Sequence, residues 1–184
     1  MKAMILAAGY GKRMMPLTEN LPKPLLKIGN ESLIERNINA LLAAGFNDII
    51  INISYLGSMI KKHVLEIFPN ANISFSEEEI PLGTGGGVLN AIGLLGKDPF
   101  LLINADIYHQ INLKDLEQDV DIAHLVGVEN PDHNADGDFS LNSNVVSIKN
   151  NLNECTWSGI SIINPKIFDG LKIEDAPFDI WKSI

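Results

Sequence analysis

Cysteine occurs once in 184 residues, at Cys155. A single thiol excludes an internal disulfide and any cysteine-based metal cluster, and it fits a reducing compartment. Cations are scarce too: 14 lysines and arginines face 23 aspartates and glutamates, a net charge of −9. A chain this acidic suits neither a nucleic-acid backbone nor an anionic membrane surface, so neither is expected as a partner. No apolar stretch approaches the roughly 18 residues of a membrane span. The short apolar run after Lys2 gives way to polar and glycine residues too early for a signal peptide. A soluble, cytoplasmic protein is expected. Internal repeats and low-complexity linkers are missing, so residues 1–184 read as one domain, and 46% hydrophobic content suffices for a sizeable core.

What is there is an alternation of strand and helix. Ala3-Met4-Ile5-Leu6 is an unbroken apolar run suited to a strand buried on both faces. Ser32 can cap a helix through Leu33, Ile34, Ile38, Leu41 and Leu42, closed by Gly45. Ile49 to Ile53 reads as a second buried strand and Ser58 to Phe68 as a second helix, ended by Pro69. Asn72 to Ser76 alternates as a third strand should. Thr84 can cap a helix through Val88, Ala91, Ile92 and Leu95, before a fourth strand over Pro99 to Ile103. Beyond residue 105 the rhythm changes to a short helical piece at Leu113 to Glu117, a strand at Ile122 to Val128, a hairpin of Phe139 to Leu141 with Val145 to Ile148, and a strand at Ser158 to Ile163. The expected class is α/β: a Rossmann-like, mostly parallel central sheet with helices on both faces, antiparallel additions in the C-terminal half, and ligands at the carboxyl ends of the strands.

Three segments carry chemistry. The first is Leu6-Ala7-Ala8-Gly9-Tyr10-Gly11-Lys12-Arg13-Met14, followed by Pro22-Lys23-Pro24-Leu25. Small residues directly after a buried strand let backbone N–H groups approach a ligand closely, and Lys12, Arg13 and Lys23 add mobile and bidentate positive charge. This suits phosphates. The loop is not of the Walker form, because Arg13 stands where a magnesium-binding hydroxyl belongs. Nor is it the dinucleotide form, which fails at Met14, and Pro16 stops a helix from growing out of the loop. The second segment, Asn104-Ala105-Asp106, brings a carboxylate to a strand end, as Mg²⁺ bound with substrate phosphates requires. A cap on the following turn would use the same aspartate. The third is Ser76 to Gly87, in which Gly83, Gly85, Gly86 and Gly87 let a helix start approach a flat ring or sugar, and Glu78 can accept hydroxyl hydrogen bonds.

In this order, these motifs with Pro81-Leu82-Gly83-Thr84-Gly85-Gly86-Gly87 resemble the sugar-phosphate nucleotidyltransferases with a Rossmann-like core, the nucleotide-diphospho-sugar transferase fold. Within that family the pattern is most similar to the uridylyltransferases of muramic-type sugar 1-phosphates that serve peptidoglycan recycling. That closer likeness rests on Asn130-Pro131-Asp132-His133, on Gly137-Asp138-Phe139 with Leu141, and on Ser158-Gly159-Ile160-Ser161 with Pro165 and Phe168. The resemblance implies a nucleotide-binding half over 1–105 and a sugar-phosphate half over 106–170, with UTP and a sugar 1-phosphate as substrates and Mg²⁺ as cofactor. It implies that Ala8, Gly9 and Gly11 lie along the nucleotide with Arg13 on its phosphates, Lys23 at the reacting phosphates, Gly83 and Gly86 near the base, and Asp106 on the metal. Arg13, Lys23 and Asp106 form the expected catalytic set, and Glu78, Asn104, Gly137 and Asp138 the sugar side. A guanylyl- or thymidylyltransferase acting on a hexose 1-phosphate, or a binding domain with impaired catalysis, would carry the same motifs.

The pattern departs from the family in two places. After the hairpin the chain reads Ser147-Ile148-Lys149-Asn150-Asn151 in place of Glu-Lys-Pro, so Lys149 takes no role. The family's Trp-x-Asp-Val-Gly-Thr segment, whose aspartate is a second metal ligand, has no counterpart after Gly170; Asp175 and Asp179 fit no such pattern, and for 171–184 three readings stay open: a truncated end, a divergent one, or a site completed by a partner. His63 is expected on a helix surface, His109 and His133 in solvated loops, Trp157 and Trp181 as packing residues with Trp157 near the sugar, and Cys155 as inert.

Overall fold

The computed structural model describes residues 1–116, 119–143, 145–148 and 152–179. Glu117, Asn144, Lys149, Trp181 and the last residues of the 171–184 segment lie outside them. The strands are β1 (Ala3–Leu6), β2 (Lys27–Ile28), β3 (Glu31–Ser32), β4 (Asp48–Ile53), β5 (Asn72–Glu77), β6 (Phe100–Asn104), β7 (Ala123–Glu129), β8 (Ser140–Asn142), β9 (Val145–Ser147) and β10 (Cys155–Ile163). The helices are α1 (Leu33–Ala44), α2 (Gly57–Ile67), α3 (Gly83–Asn90) and α4 (Ile92–Leu95). Six strands form one sheet in the order β5-β4-β1-β6-β10-β7. Its first four members run parallel, whereas β10 is antiparallel to β6 and to β7. The pairs β2-β3 and β8-β9 are small separate ribbons.

The sheet is covered on both faces, as its apolar runs require. Side chains alternate along each strand, so successive residues enter different cores. Ala3, Ile5, Ile49, Ile51, Leu101, Ile103, Ile160 and Ile162 join Ile34, Ile38 and Leu41 of α1 and Ile60 and Val64 of α2. Met4, Ile50, Phe100, Leu102 and Ile163 join Val88 of α3, Ala91, and Leu95 of α4 on the other side.

Three expectations need correction. The helix expected from a Thr84 cap begins at Gly83, has no side-chain cap, and breaks at Ala91 into α3 and α4. The last strand begins three residues early at Cys155, because Cys155, Thr156 and Trp157 pair with β7 before a register shift between Trp157 and Ser161. His63, expected as a surface residue, reaches from α2 to the start of α1, where its Nε2 lies 3.1 Å from Glu35 Oε1 and 3.4 Å from Ser32 Oγ. No helix among the described residues is long and apolar enough to cross a membrane.

Ser32 caps α1 as expected, in a capping box: Glu35 N–H donates to the Ser32 hydroxyl, and Ser32 N–H donates to the Glu35 carboxylate. Burial raises the pKa of Glu35, but the bonds from Ser32 and the neighbouring His63 ring more than offset this, so it lies below the ordinary 4.5. The ionised form therefore stabilises the fold above the unfolded-state value, and this contribution disappears as pH falls through the lower folded-state value. Glu35→Gln is expected to cost about 1 kcal/mol near pH 7, the usual worth of a cap, with the gap to the unsubstituted protein shrinking below pH 4.5. Urea denaturation at pH 7 and pH 3 checks this, and an equal gap at both would contradict it.

Candidate active site

The parallel register aligns the strand ends. Leu6 pairs with Asn52 on one side and with Asn104 on the other, and Ile53 pairs with Glu77. The loops that follow β1, β5 and β6 therefore leave the sheet side by side. They enclose an open cleft of about 470 Å³ lined by residues 6–14, Lys23, Pro24, Asn52, Glu78, Pro81, Gly83, Thr84 and 104–106.

The loop after β1 is held open from its far side. Gly11 adopts φ +64°, a left-handed conformation natural to glycine, and starts a 3₁₀ turn over Lys12–Met14. The hydroxyl of fully buried Thr18 donates to Gly11 O at 2.8 Å, and the Tyr55 hydroxyl donates to Glu19 O at 2.7 Å. Tyr10 packs on Tyr55 with ring centroids 5.5 Å apart. Among the described residues, the amides of Gly9, Tyr10 and Gly11 make no hydrogen bond within the chain, so they can face a ligand. Arg13 lies exposed in the turn.

Lys23 opens a second 3₁₀ turn, Lys23–Leu25, between buried Pro22 and Pro24. Its ammonium is ion-paired with Asp106 beyond the tip of β6, and both side chains remain partly accessible. The loop that carries Asp106 is braced from beneath. Asn37 of α1, only 1% exposed, directs Nδ2 to the carbonyl oxygens of Asn104, Ala105 and Ile107 at 3.4, 3.2 and 3.3 Å. A cation and a carboxylate thus meet at one point of the cleft.

Glu78 and Asn52 form the floor on the α3 side. Glu78 is 7% exposed and accepts from Asn52 Nδ2 at 2.6 Å and from Leu82 N at 2.9 Å. Burial pushes its pKa up, against the opposing effect of those two bonds. Asn52 Oδ1 in turn accepts the Ala7 N–H at 2.8 Å.

Of the expected site residues, the structure brings Ala8, Gly9, Gly11, Arg13, Lys23, Glu78, Gly83, Asn104 and Asp106 to this cleft. Gly86, Gly137 and Asp138 do not line it. A Cβ on Gly86 would lie 2.9 Å from Ala176 Cβ, so its bareness makes room for protein. Asp138 accepts from Trp157 N at 2.8 Å and Asn134 Nδ2 at 3.0 Å, and Gly137 packs against Asn130 and Asn153, so this segment braces β10. Gly83, which does line the cleft, and Gly87 also lie close to other parts of the protein. A Cβ on Gly83 would meet Phe178 O at 2.8 Å, and one on Gly87 would meet Asn52 Nδ2 at 2.7 Å and Glu78 Oε1 at 2.8 Å. These glycines let α3 pack closely on the sheet and on residues 176–178, where Phe178 O accepts from Gly85 N at 3.0 Å. Trp157 is a packing residue whose indole N–H bonds Ser161 Oγ at 2.9 Å. His109 is half-buried rather than solvated, with an unpartnered Nδ1 and a pKa lowered by burial, against a hydrogen bond with the Ile111 backbone.

Sequence reasoning missed Asn52 and Asn37. Both carried a signal: a lone polar residue inside Ile49-Ile50-Ile51-Asn52-Ile53, and an asparagine on the apolar stripe of Leu33, Ile34, Ile38 and Leu41. Buried amides of this kind are kept only where they satisfy other groups.

A glycine-containing loop with cations and an acidic strand tip, meeting at the carboxyl edge of a parallel sheet, fit an α/β protein of the nucleotide-diphospho-sugar transferase type. Comparison with known proteins agrees: the chain belongs to the nucleotidyl transferase family, whose model matches residues 2–126. The N-acetylmuramate alpha-1-phosphate uridylyltransferase of Neisseria meningitidis serogroup B is 43% identical over 182 residues, covering 94% of this chain and 79% of that protein. The mannose-1-phosphate guanyltransferase of Schizosaccharomyces pombe is 34% identical over the full chain, which spans only 54% of its length. The crystal structure of HddC from Yersinia pseudotuberculosis complexed with GMP-PN superposes with a TM-score of 0.75 at 29% identity, over 96% of this chain and 80% of that one.

The packing at Gly87 yields a paired expectation. Gly87→Ala drives a methyl into Asn52 and Glu78 and is expected to destabilise by about 1–3 kcal/mol, as overpacking does. Gly93→Ala in α4, where a Cβ meets nothing within 4 Å, is expected to be neutral or stabilising by up to about 1 kcal/mol. Denaturation midpoints of the two variants check the opposite signs.

Proposed function

We propose that this chain transfers a uridylyl group from UTP to a sugar 1-phosphate of the N-acetylmuramic acid type, giving a UDP-sugar and pyrophosphate, as a step in peptidoglycan recycling. The observation that carries the proposal is the convergence of the β1 loop, Arg13, Lys23 and Asp106 on one cleft at the carboxyl edge of the sheet. The choice of base and sugar is supported by the identity with the Neisseria uridylyltransferase. Similarity to mannose-1-phosphate guanyltransferases favours a second reading, guanylyl transfer to a hexose 1-phosphate. A lone cysteine and a nucleoside triphosphate substrate suit a cytoplasmic setting.

The acceptor needs no protein nucleophile. A sugar phosphate is already ionised at neutral pH, so its oxygen can attack the α-phosphorus in line while pyrophosphate leaves. The protein's task is to align the two reactants and to neutralise the charge on the transferring group. The loop amides and Arg13 hold the nucleotide phosphates, and Lys23 moves from Asp106 onto them, since a mobile ammonium can follow charge as it develops. The site is compatible with Mg²⁺. Among the described residues no three acidic, histidine or cysteine side chains gather as a cage, but Mg²⁺ is usually held by one or two carboxylates with substrate phosphates, and Asp106 supplies such a carboxylate. Bound there, the ion would neutralise phosphate charge.

Pyrophosphate release, measured across UTP, GTP, dTTP and CTP with several sugar 1-phosphates, tests the proposal. Turnover is expected with UTP and a muramic-type sugar 1-phosphate, whereas preference for GTP and a hexose 1-phosphate establishes the second reading. Asp106→Ala and Lys23→Ala are each expected to lower turnover by at least about a hundredfold, the scale of losing one fixed charge at a reacting centre, with unchanged circular dichroism. Turnover at the unsubstituted rate in either variant would refute these roles.

A further inference from the structure

Asn52 stands where the phosphate loop, the end of β4 and the start of α3 meet, and it is 2% exposed. Its Oδ1 accepts the Ala7 N–H, and its Nδ2 donates to Glu78 Oε1, whose second oxygen accepts the Leu82 N–H. The amide can face only one way, because a backbone N–H only donates and an ionised carboxylate only accepts. Gly87 closes the arrangement, leaving no room beside Asn52 and Glu78 for even a methyl group. Ile50, the neighbour on the same face of β4, is plain core. A buried amide at position 52 is costly unless its bonds serve another purpose, and Asn52 and the two residues it joins, Ala7 and Glu78, line the cleft.

We propose that Asn52 is a positioning residue that ties the first amide of the phosphate loop to Glu78, so that the phosphate end of the cleft and its α3 end keep a fixed spacing for a nucleoside triphosphate. The assignment rests on reading this cleft as a nucleotide site. It deepens that reading by naming a residue that acts through two others without being required to touch substrate. The spacing is carried by bond polarity as well as by shape. Asn52→Asp keeps the acceptor for Ala7 but sets a carboxylate against Glu78. Glu78→Gln sets two amide groups against each other or leaves Leu82 without its acceptor. The pair Asn52→Asp with Glu78→Gln restores every bond with the polarity of the central one reversed. The amide nitrogen introduced at position 78 donates to the carboxylate introduced at position 52, the amide oxygen at 78 accepts from Leu82, and the carboxylate at 52 accepts from Ala7. The doubly substituted protein carries one negative charge across these two positions, as the unsubstituted protein does.

Titration calorimetry of UTP and GTP with Mg²⁺ on the four proteins tests this, together with denaturation midpoints and KM for each substrate. Each single substitution is expected to raise the Kd and the KM for the nucleotide about tenfold, the scale of one unsatisfied buried group. The pair is expected to return to within about threefold of the starting affinity, the non-additivity of coupled sites. Folded single variants that bind nucleotide as the unsubstituted protein does would overturn the proposal. So would a folded pair without restored affinity, which would instead show that the charge of Glu78 meets the ligand directly. Where a single variant does not fold, the pair alone decides, and a pair that also fails to fold overturns the proposal. An unsubstituted chain that binds nucleotide but releases no pyrophosphate refutes the transferase reading alone and leaves the binding cycle to judge Asn52. A chain that binds no nucleotide removes both.

Discussion

The parallel pairing of β1 with both β4 and β6 is the constraint on which the site depends. It places Leu6, Asn52 and Asn104 in one row, so the residues that follow each strand must emerge together. Parallel strands need crossovers, and the crossovers here are helices that cover the sheet. The carboxyl ends are left as the open edge. The glycine-containing loop after β1 and a carboxylate after β6 are then neighbours without any residue between them having to specify it.

Charge does the rest of the organising. In a chain of net charge −9, Lys12, Arg13 and Lys23 gather at the cleft. Lys23 and Asp106 form an ion pair at the edge of the cleft. Both remain partly accessible, so their attraction is screened and the pair can open. Burying the pair fully would have made opening costly. The rigid parts lie beneath, where Asn37 holds the Asp106 loop by its carbonyls and Thr18 holds Gly11.

Gly86 and Gly87 show how one motif can serve two kinds of close approach. From sequence, bare Cα atoms at a helix start suggest a ligand pressed against them. In the structure the space at Gly86 and Gly87 is filled by Ala176, Leu82, Asn52 and Glu78. The requirement for glycine is the same in both readings, close approach, and only tertiary packing identifies what approaches. Asp138 behaves similarly: an aspartate in a family-like motif serves here to hold the Trp157 amide of β10.

The sequence by itself determined most of the elements of the parallel sheet, its two-sided burial, and the segments that bring the glycine-containing loop, the cations and the acidic strand tip to the cleft. These depend on periodicity, on turn residues and on local charge, which are properties of neighbours along the chain. The antiparallel length of β10, the break at Ala91, the reach of His63 to Glu35, and the bracket of Ala7, Asn52, Glu78 and Leu82 were decided only in three dimensions. Most of these join residues far apart in sequence, such as Ala7 with Asn52, 45 positions away. A buried polar side chain shows its purpose only when the group it satisfies has been brought beside it.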